Sequence, residues 1–416
     1  MATKNTTFSG SIFLTGFFGA ANVGDEAVSL AVYEGVRTQL PGAVCNIVTR
    51  SPAYTRDFTG ITDAVALKGF YPSQDFWSNF LLHYRSARKS DLIVIGGGGI
   101  LQDVHSWTTI PAHLLPACIG ILFNRRVMTV GIGVGPIKSP WLKRLTAFTC
   151  NRMVKVQVRD EESKRVLKEC GVDADKITVT ADVVPSLELQ QHVTKRPAAH
   201  KVPVVALAFR KWPDLDEAGL VGICSRLIDN GVHIRMLGYE SAHDKKFYEQ
   251  LIDRFDERYR DKISIHVPAD LDDALQEVRH ADFLLSMRLH GCVFAAAMGI
   301  SFVAVPYDHK VSEFMRRLSL EDRIVPMDKL SPAYADRILE CLQQPDFKAP
   351  WKEAFDKQQQ LSRSNFTCIP ELLETNVSFS DNERREAKRW IRTLLWRGMK
   401  VQMKRPVGFF LRKMSK

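Results

Sequence analysis

The chain has 416 residues, 45% hydrophobic and 25% charged, which is ordinary for a soluble globular protein and too long for a single core. Its net charge of +10 is uneven: residues 381–416 hold 12 Lys or Arg against 3 Asp or Glu, and the rest of the chain is balanced, 45 against 44. The balance excludes general nucleic-acid affinity of the body and assigns the positive charge to one appendage. Eight scattered cysteines without a Cys-x-x-Cys pair argue against a disulfide scaffold or a zinc site and for reduced thiols in a cytoplasmic protein.

In chain order, the apolar run at 11–16, a Gly-rich turn and a helix over 25–39 read as a first βα unit rather than as a signal peptide, which the small residues after Phe17 imitate. Further strands are predicted at 43–49, 64–67, 91–95, 126–131, 153–158 and 176–180, with helices around 73–89, 106–123, 140–150 and 160–169. Residues 191–201 read as a linker. A second series of strands follows at 202–209, 232–237, 262–266, 281–286 and 301–305. This pattern predicts an α/β protein of two Rossmann-like domains facing across a cleft, residues 1–190 and 201–345. A helical segment over 346–380 then packs back on the first domain, and a basic amphipathic tail occupies 381–416. No run is long and apolar enough to span a membrane, since the apolar run at 283–306 is interrupted by Arg288 and His290.

Two glycine runs follow strands. Gly96-Gly97-Gly98-Gly99 permits close approach of backbone to a ligand, but no Gly-Lys-Ser/Thr follows, so it is not a nucleotide P-loop. Gly131-Ile132-Gly133-Val134-Gly135-Pro136 places Pro136 where a dinucleotide fingerprint needs its last glycine, which argues against a nicotinamide or flavin cofactor. The polar group Asn22, Asp25 and Glu26 starts a helix at the sheet's carboxyl edge, where ligands of open α/β sheets bind.

The stretch 287–315 concentrates the chemistry. Arg288 and His290 fall on the turn between a buried strand and a small-residue helix, whose free N–H groups favour an anion; Tyr307-Asp308-His309-Lys310 reaches the same edge one βα unit later. Arg288-Leu289-His290-Gly291 and Tyr307-Asp308-x-Lys310 resemble the signature of the polysaccharide pyruvyl transferase family. Family-like segments around Gly16–Glu26, Gly96–Asp103, Gly131–Pro136, Val158–Ser163, Ala181–Asp182 and Arg210–Trp212 occur in the expected order, so the resemblance covers roughly residues 10–320.

That resemblance implies a GT-B-like architecture and phosphoenolpyruvate as donor, with a pyruvate ketal formed on two hydroxyls of one sugar and phosphate released. A small ligand with a carboxylate and a phosphate needs several fixed cations, and Arg159, Arg210, Arg288 and Lys310 supply them. His290 is the candidate acid/base, and Lys310 and Arg288 balance charge on the departing phosphate. Asn22, Asp25, Glu26, Gly98, Gly99, Gln102 and Asp103 are the candidate acceptor contacts. Neither metal nor cofactor is expected. The competing classes are a nucleotide-sugar glycosyltransferase, because fold does not fix function, and a non-catalytic, membrane-attached assembly protein, against which the intact Arg288, His290 and Lys310 count.

In the tail, Trp390, Ile391, Leu394, Leu395 and Met399 recur at helical spacing opposite Arg385, Lys388, Arg389 and Arg392, and Val407–Leu411 adds an apolar run between cations. The expectation is that 381–416 holds the enzyme on the anionic inner face of the cell membrane, beside a lipid-linked saccharide acceptor.

Overall fold

Short buried runs of aliphatic residues build two parallel sheets of the same order. The computed structural model describes residues 8–68, 76–104, 106–193, 202–343 and 349–403. Its first half contains β1 (Ser11–Thr15), β2 (Val44–Thr49), β3 (Val65–Lys68), β4 (Leu92–Gly96), β5 (Gly99–Leu101), β6 (Arg126–Val130), β7 (Gly133–Val134), β8 (Val156–Val158) and β9 (Ile177–Val179). The main sheet runs β3-β2-β1-β4-β6, all parallel. The order reverses between β1 and β4, so the crevice at their carboxyl ends is the natural ligand site. Five-residue β4 is buried throughout, as a central strand covered on both faces must be.

The second half repeats the plan with β10 (Val204–Ala208), β11 (His233–Leu237), β12 (Ile263–His266), β13 (Phe283–Ser286) and β14 (Ser301–Ala304), ordered β12-β11-β10-β13-β14 and again parallel. Two Rossmann-like domains therefore face each other in a GT-B-like arrangement.

One feature was not anticipated. After positive-φ glycines at 97, 98 and 131, the chain of β4 and of β6 resumes as β5 and β7, which pair with each other above the main sheet's carboxyl edge. The glycine runs are thus hinges into a second small ladder rather than simple turns.

The two domains share a core. The helix Val23–Gln39 is buried on most sides because it lies between the first sheet and the Leu289–Met298 helix of the second domain, whose Ala295, Ala296 and Ala297 allow close approach. At its start, the Val23 N–H donates to the Tyr239 carbonyl at 2.9 Å, and Asn22 forms a β-bridge with Glu240. Ile12 and Leu14 of one sheet and Leu284 and Phe302 of the other belong to one continuous apolar cluster.

The C-terminal helices fasten this pair. Fully buried Trp351 packs on Phe302 and donates from Nε1 to the Ala296 carbonyl at 3.1 Å. Along the helix Lys352–Thr367, Ser362 and Asn365 then donate to the Val183 and Ala181 carbonyls of the first domain.

The helix Asp381–Met403 corrects the expectation of a lipid-facing stripe. It starts with a reciprocal cap, Ser380 and Glu383 each accepting from the other's N–H. Ala387, Ile391 and Leu394, 0%, 6% and 4% exposed, are docked on the helix Thr109–Leu122 of the first domain. Moving that stripe into a bilayer would exchange one apolar surrounding for another with little hydrophobic gain. It would also sacrifice the 3.0 Å Arg152–Glu383 ion pair. The run 407–411 lies outside the described residues. No helix among the described residues is long and apolar enough to cross a membrane.

Candidate active site

Loops from the carboxyl ends of both sheets line a cleft of about 1210 Å³. From the first domain come Asn22, Asp25, Arg50, Gly98, Gly99, Gln102 and Arg159; from the second come Arg210, Trp212, Glu240, Arg288, Tyr307 and Lys310.

The predicted cations are brought together, but each is already opposed by a carboxylate. Arg288, at the N-cap of the Leu289–Met298 helix, is 5% exposed and donates from Nη2 to both Asp244 oxygens at 2.6 Å, with Glu240 3.6 Å away. Arg210 stands 3.6 Å from the same Glu240 and 5.6 Å from each of the Trp212 and Tyr307 ring centres. Arg159 donates from Nε to Asp160 at 3.1 Å and lies 3.8 Å from Asp182. Its guanidinium rests on Gly133, where an added Cβ would fall 2.7 Å from it and push it aside. Lys310 lies 3.6 Å from Asp308 and 5.4 Å from the Tyr307 ring centre. These are therefore positioned cations whose nearby carboxylates fix their geometry.

Arg50, which follows β2, was not anticipated. It makes no ion pair within 4 Å among the described residues and lies 4.0 Å over the Phe17 ring at the cleft. No motif surrounds it. Its place at the end of a strand beside β1 was the one available signal.

His290 sits in the first turn of its helix, where the first domain meets it. Its Nε2 is 3.6 Å from Asp182 Oδ1, and among the described residues neither Nε2 nor Asp182 Oδ2 has a hydrogen-bond partner. Gly24 makes the approach possible, since a Cβ there would lie 2.1 Å from His290 Nδ1. Burial opposes charge on Asp182, but His290 and Arg159 outweigh it and hold the carboxyl at about 2. Asp25 behaves oppositely. Burial pushes it up to about 6 against the pull of His290, Lys310, Arg288 and Arg50, so it titrates near neutrality inside the cleft.

The remaining predicted contacts divide. Asn22 lines the cleft while its side chain caps Gly24 N–H, and Gly98, Gly99 and Gln102 also line it. Glu26 does not: it is 0% exposed and turned behind the loop toward Thr55 and the Gly19 and Ala20 backbone, where burial raises it to about 7. Asp103 does not either, because its carboxylate accepts from the Lys138 and Ser139 N–H groups at 2.8 to 3.0 Å and orders their loop.

A GT-B-like pair of domains with Arg, Lys and Asp side chains converging between them makes this cleft the candidate active site. Residues 22–309 match the family model described as polysaccharide pyruvyl transferase, and the chain belongs to that family. Amylovoran biosynthesis protein AmsJ of Erwinia amylovora is 19% identical over 260 residues, a match covering 56% of this chain and 61% of that protein. Among solved structures, UDP-GlcNAc 2-epimerase from Neisseria meningitidis bound to UDP-GlcNAc is similar with a TM-score of 0.57 at 12% identity, covering 88% of this chain and 100% of that one. A glycosyltransferase from Rickettsia africae gives 0.56 at 14% identity, covering 93% and 99%. These likenesses define the fold alone.

Proposed function

We propose that the enzyme converts phosphoenolpyruvate and a vicinal or 1,3-related pair of sugar hydroxyls into a cyclic pyruvate ketal and inorganic phosphate. The observation that carries this reading is Asp25 in a cleft ringed by Arg50, Arg159, Arg210, Arg288 and Lys310, with His290, 3.6 Å from Asp182, behind that lining and near enough for its charge to act on Asp25. The cations bind the donor's carboxylate and phosphate. His290 gives a proton to carbon 3, which leaves carbon 2 electrophilic. The first sugar hydroxyl adds there and yields its proton to the Asp25 carboxylate. Phosphate leaves with the electrons of its bond to carbon 2, and the second hydroxyl closes the ring. Of the two hydroxyl protons, one replaces that donated by His290 and the other leaves with phosphate, so the balance closes.

The acceptor we favour is a saccharide of a polysaccharide precursor, lipid-linked at the cytoplasmic face of the membrane. Trp212 and Tyr307, ring centres 4.8 Å apart and inclined at 53° beside Arg210, also offer aromatic faces on which a nucleotide base could stack, which favours a sugar-nucleotide transferase as the second reading. Incubating the purified protein with nitrophenyl glycosides and either phosphoenolpyruvate or UDP-sugars separates the two. The first reading expects phosphate release and a glycoside heavier by one pyruvate less water; UDP release with glycosyl transfer would replace it with the second.

A further inference from the structure

The helix Phe76–Lys89 presents an unusual outer face. Trp77, Leu81 and Leu82 are 50%, 47% and 46% exposed, three large apolar side chains within six residues at one-turn spacing. Isolated exposed hydrophobics are ordinary on a protein surface, but such a cluster marks contact with another apolar phase. The helix contains no acidic residue, and its later turns expose Arg85, Arg88 and Lys89.

The basic helix Asp381–Met403 packs against the same Thr109–Leu122 helix as Phe76–Lys89 does. With Ala387, Ile391 and Leu394 turned inward, it exposes Arg385, Lys388, Arg389 and Arg392 outward, ending in Trp396, which is 52% exposed. Its last turns reach the cleft's border: Arg397 lies 4.2 Å over the Trp141 ring, which is 6.0 Å from Trp107, and Ser106 and Thr109 on either side of Trp107 line the cleft.

We propose that this outer face of the first domain docks on an anionic lipid bilayer, with Trp77, Leu81, Leu82 and Trp396 entering the headgroup boundary and the exposed arginines and lysines meeting lipid phosphates. Charge selects this occupant. A two-fold contact with a second copy would set the basic face against itself, whereas an anionic headgroup layer complements it. The mouth of the cleft is thereby brought to the membrane surface, where a lipid-linked saccharide presents its sugar.

The test is vesicle partition of the full-length protein, which needs no turnover and so stands or fails separately from the pyruvyl-transfer reading. Phosphatidylglycerol-containing vesicles should bind it and pure phosphatidylcholine vesicles should bind it poorly. Trp77→Ser/Leu81→Ser/Leu82→Ser should partition at least about tenfold more weakly, and a chain ending after Met403 should retain most binding. Leu81→Ser and Leu82→Ser alone should give intermediate losses, with each variant's circular dichroism checking its fold. Undiminished binding by the folded triple variant, or loss of all binding on removal of 404–416, would overturn the proposal. So would a triple variant that changes oligomeric state while its vesicle binding is unaltered.

Discussion

At the scale of single residues, the account rests on Asp25 and its neighbour Glu26, which burial treats alike and position treats differently. Asp25, raised to about 6, faces the cleft, and in the proposed reaction it acts as base in its ionised form, so kcat/KM should rise with pH through about 6. Asp25→Asn should remove that limb and lower kcat by about 10²- to 10⁴-fold; a pH–rate profile of both proteins checks it. Glu26 affects stability instead. Its folded pKa of about 7 exceeds the ordinary 4.5, so its protonated form is favoured by folding. The stabilisation is fully present below about pH 4.5 and is lost as pH rises through about 7. Glu26→Gln should therefore change little at pH 4 yet stabilise at pH 8 by on the order of 1–3 kcal/mol, measured by denaturant unfolding at both pH values. Sequence placed both residues at the cleft because they begin the same helix. Successive helical residues diverge by about 100° around the axis, so only one of them could face the ligand, and the sequence does not say which. His290 and Arg288 were legible because a buried strand and a small-residue helix bracket them.

At the scale of elements, the helix Asp381–Met403 supplies the clearest prediction. Ile391 and Leu394 are core residues here, so Ile391→Ser/Leu394→Ser should lower stability by about 3–6 kcal/mol and loosen the helix from Thr109–Leu122. Thermal unfolding, with hydrogen exchange across residues 109–122, measures both effects. An amphipathic stripe looks the same in sequence whether it meets a bilayer or a neighbouring helix, which is why this docking could not be read beforehand. Strands such as β10 and β13 were legible from their apolar runs. The β5–β7 ladder was not, because glycine-rich runs carry no side-chain alternation to mark a strand.

At the scale of the whole molecule, the site exists only where the domains meet. His290 comes from the second domain, Asp182 and Asp25 from the first, and Gly24 leaves room for the imidazole to approach. Gly24→Ala would drive a methyl group against the imidazole, displacing it or parting the domains. We expect kcat to fall by about 10²-fold with only a small loss of stability; steady-state kinetics and thermal unfolding of that one variant distinguish this from general unfolding.

The most direct test of pyruvyl transfer by His290 is the reaction in deuterated water with phosphoenolpyruvate and an accepted glycoside, followed by NMR of the product. The account predicts a ketal whose methyl group carries a single solvent deuteron, with none formed by His290→Ala. A product retaining the donor's carbon–carbon double bond, or an undiminished rate of ketal formation by His290→Ala, would contradict it.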